Sequence, residues 1–273
     1  MNSRHFWFSL SLIGLSICLF GQEEINVKFY EKEISESEIR IYCDNSEFFP
    51  VSVELKLELK GLTTDHRNGD VVVLNPREDN QLLAVLSATP GRPWQYRTSA
   101  QYAVGNVLLE DFDTNFVYEL PFARGSGEAV SQGYLGKMSH QNEYAIDFNM
   151  REGTPVFAMR GGLVIKVVDS NNKSCPDRSC MQFNNVITIQ HEDGTYAEYA
   201  HLKQHSAGVR VGDEITAGTY LADSGRTGWT TGPHLHIAIF VPAFGKRKTI
   251  PTLFRIGDGK SDYLVERKSY YRS

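Results

Sequence analysis

Apolar and polar residues alternate through the first part of the chain, most clearly between residues 51 and 60. This segment reads V-S-V-E-L-K-L-E-L-K, and an apolar side chain at every second position is typical of a half-buried strand. Shorter strands are predicted at 39–42 and 71–74, with a turn at 68–70 between them. This spacing predicts an accessory domain over residues 22–105 that is similar to a small antiparallel β-sandwich.

The second half of the chain is richer in glycine and in short apolar runs. Four further strands are predicted there, at 163–168, 186–189, 195–202 and 234–240. Glu192-Asp193-Gly194 has the composition of a hairpin turn between two of them. No segment has a long helical period, so the fold class is mainly β, with a second antiparallel domain over 106–257. Residues 258–273 are expected to be a polar, peripheral C-terminal tail.

The first residues indicate export. Arg4 and His5 precede an apolar run from Phe6 to Phe20, and Gly21 then leads into polar residues. This order is typical of a secretory signal peptide, here residues 1–21 with cleavage near Gly21. The run is shorter than the roughly 20 residues of a spanning helix. A periplasmic or secreted protein is therefore expected; a lipoprotein signal at Cys18 and an uncleaved membrane anchor are the alternatives.

The remaining cysteines suit an oxidising compartment. Cys175 and Cys180 enclose a short loop, Pro176 to Ser179, and would form a disulfide outside the cytoplasm. A structural zinc pair is the alternative, but it needs two further thiols or histidines nearby, and the sequence has none there. Cys43 is expected to be a buried free thiol.

Charge and motif content exclude several classes of function. The formal net charge is -5 and the chain has no long basic run, so nucleic acid is not an expected partner. The glycines lack the Gly-Lys-Ser/Thr ending of a phosphate-binding loop. There is no nucleophile elbow of a serine hydrolase. After Gln22 no stretch is long and apolar enough to span a membrane.

Histidines carry the candidate chemistry. In His234-Leu235-His236 the two imidazoles point to the same face of the predicted strand. Asp147 lies between Ile146 and Phe148, where a buried carboxylate must be paired or bound to metal; an outward-facing aspartate is the alternative.

Two further histidines belong to the same question. His140 precedes Asp147 by seven positions, and His201 follows Tyr199-Ala200 at the end of the predicted hairpin. A histidine at a strand end can also serve only to bond the backbone, so His201 taken alone does not establish a site.

Five motifs follow one another in an order that is informative as a set: Asp147-Phe148, Glu152-Gly153-Thr154-Pro155-Val156, Tyr199-Ala200-His201-Leu202, Gly225-Arg226-Thr227-Gly228 and Gly232-Pro233-His234-Leu235-His236. Together they resemble the lysostaphin/LytM-type peptidases over roughly residues 118–252. The resemblance implies a compact antiparallel β catalytic domain with an open groove, and makes 106–257 a zinc peptidase domain.

The resemblance also implies the roles of single residues. His140, Asp147 and His236 correspond to the three zinc ligands, and His201 and His234 to the catalytic histidines. Two histidines and one carboxylate leave a fourth position of tetrahedral zinc open, which is the catalytic arrangement. The family's common pattern has the aspartate four positions after the histidine; the longer spacing here makes His140 the ligand most in need of a test.

The implied function is that of an exported zinc metalloendopeptidase, with one zinc ion per chain, acting on the stem or cross-link peptides of bacterial peptidoglycan. One alternative is a catalytically inactive relative that binds peptidoglycan or activates another wall hydrolase. A carrier domain of the biotinyl or lipoyl type is a further alternative, suggested by Val211-Gly212-Asp213-Glu214-Ile215. This chain, however, has no lysine in a suitable hairpin.

The role of Tyr134 is open from the sequence: it could donate to an oxyanion or be structural.

Overall fold

The alternating segment at residues 51–60 forms a strand in the computed structural model, with its apolar side chains buried on one face. The structure describes residues 25–245, 247–257 and 259–273. The predicted signal peptide, residues 1–21, lies outside the described residues. The described residues divide into two units, one ending at Leu108 and the other running from Leu109 to Ser273.

The first unit consists of two antiparallel sheets, with strand orders β1-β2-β6-β4 and β5-β3-β7. Its strands are β1 Val27–Ser35, β2 Glu38–Asn45, β3 Val51–Lys60, β4 Leu62–Thr64, β5 Val71–Leu74, β6 Glu78–Ala88 and β7 Gln95–Val104. The strands predicted at 39–42, 51–60 and 71–74 are confirmed. Cys43 on β2 is free and buried, as predicted.

The second unit is also built from β-strands, apart from one short 3-10 helix at Arg178–Phe183 among its described residues. Its strands are β8 Val117–Tyr118, β9 Gly127–Gln132, β10 Ala145–Phe148, β11 Pro155–Phe157, β12 Gly162–Val168, β13 Ser174–Cys175, β14 Val186–Gln190, β15 Tyr196–Ala200, β16 Glu214–Ile215, β17 Tyr220–Asp223, β18 Gly228–Trp229, β19 Leu235–Val241, β20 Lys248–Thr249, β21 Leu253–Ile256, β22 Lys260–Asp262 and β23 Ser269–Tyr271. The mainly β fold class is confirmed.

A nine-stranded sheet forms the centre of the second unit, in the order β16-β12-β14-β15-β19-β10-β9-β23, with β20 paired to β19. One face of this sheet carries the hydrophobic core, to which β19 contributes Leu235, Ile237 and Ile239. Because successive side chains of a strand point to opposite faces, His236 and Ala238 lie on the other face. The sheet thus separates the core from the face that bears the candidate site.

The last residues are part of this unit, which corrects the expectation of a peripheral tail at 258–273. β23 pairs with β9 at the edge of the central sheet. Leu264 is buried in the core, and the buried guanidinium of Arg272 donates to the carbonyl oxygen of Phe122 at 2.7 Å. The segment is polar in composition, yet these side chains and its strand pairing attach it to the sheet.

The predicted disulfide between Cys175 and Cys180 is present. It joins Cys175 on β13 to Cys180 in the 3-10 helix. None of the helices among the described residues has the length and apolar composition needed to span a bilayer.

Candidate metal and catalytic site

The centre of the site lies on two paired strands of the central sheet. Asp147 on β10 is directly opposite His236 on β19 in the antiparallel register. Side chains at opposite positions share a face and lie within contact distance, and Nδ1 of His236 is 2.8 Å from Oδ1 of Asp147. Strand pairing therefore brings together two residues that are 89 positions apart.

His140 reaches this pair from the loop between β9 and β10. Its side chain is buried, and its Nδ1 donates to the carbonyl oxygen of Gly133 at 3.1 Å. Because a carbonyl oxygen only accepts, this bond leaves the lone pair on Nε2 in the neutral ring. That Nε2 lies 3.2 Å from Oδ1 of Asp147 and 3.2 Å from Nδ1 of His236. The longer spacing between His140 and Asp147 thus does not keep His140 from the site.

The three converging atoms suit a small cation. Ligand atoms of His140, Asp147 and His236 all lie within 4.8 Å of one another. Zinc takes nitrogen and carboxylate ligands in tetrahedral geometry at about 2.0–2.2 Å, which separates neighbouring ligand atoms by about 3.3 Å. The separations of 2.8 to 3.2 Å found here are close to that value. The donor set and its spacing therefore fit a metal site.

Electrostatics at the three residues favour an ionised carboxylate. Burial opposes the charge on Asp147, but the adjacent imidazoles of His140 and His236 hold its pKa well below the ordinary value. Burial likewise opposes a charge on His140, yet its bond to Asp147 raises its pKa overall. A buried carboxylate needs this kind of compensation, and a bound cation would supply it in the same place.

His201 lies beside the three residues, directly after β15. Its backbone has φ of 62°, in the left-handed region that residues other than glycine rarely adopt. Two bonds hold it there: its backbone N–H donates to Oδ1 of Asn184 at 2.9 Å, and its Nδ1 donates to the carbonyl oxygen of Thr227 at 2.7 Å. A strained residue held by several contacts is typical of a functional site.

The environment of His201 keeps the ring neutral. Burial, together with the nearby imidazoles of His234 and His236, lowers the pKa of His201 to about 3. Its Nδ1 carries the proton because it donates to a carbonyl, so Nε2 holds a free lone pair.

His234 directly precedes β19, and the turn before it fixes its orientation. Nδ1 of His234 donates to the carbonyl oxygen of Gly232 at 3.0 Å and lies 3.2 Å from Oγ1 of Thr230. Nε2 faces the centre of the site, 3.8 Å from Oδ1 of Asp147. The ring centroids of His234 and His201 are 4.4 Å apart. All five residues singled out from the sequence are thus in one place.

Close backbone approach around the His234 turn requires glycine. Gly225 pairs with His234 as an isolated bridge. A Cβ on Gly225 would lie 2.6 Å from the backbone nitrogen of Lys203, a distance that no side chain tolerates. The glycine therefore allows the segment after His201 to run beside the segment before His234, which brings the two histidines together.

Sequence reasoning missed the residue that orients the aspartate. Gln132 on β9 is buried, and its Nε2 donates to Oδ2 of Asp147 at 3.1 Å and to Oγ of Ser139 at 2.7 Å. Its Oε1 accepts from the backbone N–H groups of Met138 and Ser139 at 3.2 and 3.3 Å. Gln132 thus holds both Asp147 and the loop that leads to His140. No motif marks it, since only the strand register places it opposite Asp147.

Sequence reasoning also missed an ion pair on the site face of the sheet. Arg247 contacts Oε1 of Glu198 at 2.7 Å. Glu198 lies on β15 next to β19; burial opposes its charge, but Arg247 and, to a smaller extent, His236 lower its pKa. Tyr134, in contrast, has its hydroxyl bonded to Thr252 at 2.9 Å, in agreement with a structural role.

Comparison with known proteins identifies the second unit. Residues 141–248 match the model of peptidase family M23. Asp147, His201, His234 and His236 lie inside the matched range, and His140 is one residue before it.

Individual relatives match just under half of the chain. Lysostaphin of Staphylococcus simulans is 34% identical over 126 residues, which are 45% of this chain and 23% of the relative. The glycyl-glycine endopeptidase ALE-1 of Staphylococcus capitis is 29% identical over 136 residues, 48% of this chain and 34% of the relative. The peptidoglycan DD-endopeptidase ShyA of Vibrio cholerae is 32% identical over 126 residues, 45% of this chain and 26% of the relative.

These matches cover between 23% and 34% of each curated relative's length. Among solved structures, lysostaphin from Staphylococcus simulans aligns at 30% identity over 45% of this chain and 47% of that chain, with a TM-score of 0.35. The second unit thus contains a peptidase family M23 domain at residues 141–248, and lysostaphin and ALE-1 are among the relatives of the chain.

Proposed function

We propose that this protein is an exported zinc metalloendopeptidase that hydrolyses peptide bonds in the stem or cross-link peptides of bacterial peptidoglycan. The observation that carries the proposal is the convergence of Nε2 of His140, Oδ1 of Asp147 and Nδ1 of His236, with His201 and His234 beside them. The predicted signal peptide supports export, because it would bring the enzyme into the compartment of its substrate.

In this proposal His140, Asp147 and His236 hold one zinc ion. Gln132 orients the carboxylate through its bond to Oδ2 of Asp147, and the Gly133 carbonyl oxygen orients His140. Such outer contacts fix the ligand atoms and set their basicity. Zinc, when bound there, supplies a Lewis acid that polarises the scissile carbonyl and lowers the pKa of a coordinated water to about 7.

His201 and His234 handle protons and developing charge. Both rings donate from Nδ1 to a backbone carbonyl, so both present Nε2 to the site. A neutral Nε2 accepts a proton from the attacking water, and a protonated Nε2 donates to the oxygen or nitrogen that gains charge. Burial lowers the pKa of His201, so its ring is neutral at neutral pH and its Nε2 lone pair is available. We assign His201 the role of general base.

Peptidoglycan is proposed as the substrate from the named relatives. ALE-1 is a glycyl-glycine endopeptidase and ShyA is a peptidoglycan DD-endopeptidase. An inactive relative that only binds peptidoglycan or activates another hydrolase would be expected to have lost one or more of the five residues. Their common location in this chain therefore favours catalysis over that alternative.

The proposal is tested with two variants of the purified protein. His236→Ala should lose both the zinc, counted by elemental analysis, and the release of peptides from purified cell walls. His201→Asn should keep about one zinc per chain but lose roughly 100- to 10,000-fold in rate, the usual contribution of general acid–base catalysis. Asparagine is chosen because it tolerates the left-handed backbone of this position.

His205→Asn is the matched control. His205 is an exposed histidine four positions further on, also with a left-handed backbone, at φ of 54°. It should keep both zinc and activity. The assignment would be refuted if the His201 variant digested cell walls at the wild-type rate, or if the His236 variant kept its full zinc content.

A further inference from the structure

A cavity of about 320 Å³ opens beside the candidate site. Thr230 and Gly232, which hold Nδ1 of His234, line one side of it. Its volume is at the lower end of the range for small-ligand sites, roughly 300–1,000 Å³. A group bound in this cavity would therefore lie next to the residues that orient His234.

The disulfide loop forms the facing wall. Cys175 and Pro176 line the cavity, and β13 pairs in parallel with β18, so that Cys175 lies opposite Trp229. The backbone N–H of Thr230 donates to the carbonyl oxygen of Cys175 at 3.1 Å. The indole N–H of Trp229 donates to the carbonyl oxygen of Pro176 at 3.2 Å. These contacts and the disulfide give the cavity a wall that is formed in advance of binding.

Arg226 supplies the charge of this cavity. It is exposed, it lines the cavity, and it follows Gly225, whose backbone pairs with that of His234. Within the described part of the chain, Arg226 has no hydrogen-bonding or ionic partner, and no acidic side chain lines the cavity. Some other arginines of this unit are paired with acids, as in Arg160 with Asp193 at 2.8 Å and Arg247 with Glu198 at 2.7 Å.

An unpaired guanidinium in a preformed cavity fits a carboxylate. Its planar donors match the two oxygens of a carboxylate in a bidentate arrangement. A peptide advances at most about 3.3–3.6 Å per residue, and Arg226 is next in sequence to the residue paired with His234. The carboxylate would therefore belong to a residue within one or two positions of the scissile bond.

We propose that the cavity between the disulfide loop and the Thr230–Gly232 turn is a substrate subsite, in which Arg226 binds a free carboxylate of the peptide. This inference rests on the proposed peptidase function and adds a determinant of specificity to it. Arg226 acts in binding and not on the reacting atoms, so its loss should raise KM much more than it lowers kcat.

The test uses soluble wall peptides in which one carboxylate at a time is replaced by a carboxamide. One of these replacements should lower kcat/KM of the wild-type enzyme about 10- to 100-fold, the value of a charged hydrogen-bonded pair. In Arg226→Gln the acid and amide forms should be cleaved equally, and Arg226→Lys should restore part of the preference. Arg210→Gln, at an exposed arginine that does not line the cavity, is the control and should behave as wild type.

Binding measured by calorimetry on the His201→Asn protein, with Arg226 intact or changed to Gln, separates this inference from the proposed function. A preference for the acid form that depends on Arg226 supports the subsite even if no peptide is cleaved. Equal affinity for all acid and amide pairs, or a preference that persists in Arg226→Gln, overturns it.

Discussion

The two units use buried polar side chains in different ways. In the first unit Asn45 and Ser52 are fully buried and bond the backbone: Nδ2 of Asn45 donates to the carbonyl oxygens of Phe49 and Asn75, and Oγ of Ser52 donates to that of Gly105. These bonds hold loops against strands, and the polar groups are satisfied by the fold itself.

In the second unit the buried polar side chains of the site bond one another. Asp147 contacts His140, His236 and Gln132, and its charge is compensated only by side chains. A buried charge of this kind is costly unless it is paired. The difference lies in the second polar atom: His140, His201 and His234 also bond a backbone carbonyl through Nδ1, but each turns its Nε2 toward a common point.

His191 is a backbone-bonded histidine in the second unit and gives the largest expected effect on stability. Its Nδ1 donates to the carbonyl oxygen of Gly161 at 2.9 Å, and burial lowers the pKa of His191 to about 4. The unfolded chain takes up this proton near pH 6.5, so the stabilising contribution is complete above that pH and is lost as the pH falls to about 4. The free energy of unfolding should fall by about 3 kcal/mol.

Urea unfolding at a series of pH values measures this loss. Hydrogen exchange detected by mass spectrometry assigns it to the second unit. His191→Gln serves as the reference, because it keeps a side chain that can donate to Gly161 but cannot titrate. The wild type should lose about 3 kcal/mol more than this variant between pH 7 and pH 4. Equal slopes for the two proteins would show that His191 does not titrate differently on folding.

Exchanging one buried polar residue in each unit sharpens the comparison. Gln132→Leu removes the partner of Asp147, and zinc affinity should fall about 10- to 100-fold, as for other residues that orient a metal ligand. Asn45→Leu leaves the buried carbonyl oxygen of Phe49 without its side-chain donor and should destabilise the first unit by about 2 kcal/mol. It should leave zinc affinity unchanged.

Chelator competition measures the zinc affinity of both variants, and hydrogen exchange reports the stability of each unit. The comparison fails if Gln132→Leu binds zinc as tightly as the wild type. It also fails if Asn45→Leu weakens zinc binding by a similar factor, since both residues would then act only through the fold.

Local periodicity was sufficient to predict several of the strands, but not their partners. Alternation predicts β3, and the His-x-His spacing predicts that His234 and His236 share a face. Which strand lies beside another depends on pairing across the sheet, and this has no local signature. For that reason the bond from Gln132 to Asp147 and the pair of Arg247 with Glu198 were missed. The edge position of β23 was missed for the same reason.

More of the site than of the sheet could be predicted from the sequence, because the residues of the site occur in motifs. His140 was the least certain member, since its spacing from Asp147 is longer than usual, yet the loop returns it to the site through Gln132 and Gly133. The roles of the five residues stay predictions until zinc and activity are measured. The geometry around them adds what the motifs lack: the tautomers of His201 and His234, which follow from the carbonyls they contact.

The two units also differ in their cysteines, and the expected effect on stability is smaller than that of His191. The disulfide of the second unit joins residues only five positions apart. Removing it in Cys175→Ser with Cys180→Ser should therefore lower the free energy of unfolding by only about 2 kcal/mol. Hydrogen exchange should increase in the disulfide loop and in the Thr230–Gly232 turn that bonds it.

A reductant should give the same change in the wild type and leave the first unit unaffected. Cys43, the thiol of that unit, is buried, and burial raises its pKa to about 12, so that it is neither ionised nor accessible near neutral pH. Alkylation of the native protein should accordingly label Cys175 and Cys180 only after reduction, and Cys43 only after unfolding. Labelling of Cys43 in the native protein, or altered exchange in the first unit on reduction, would contradict this separation.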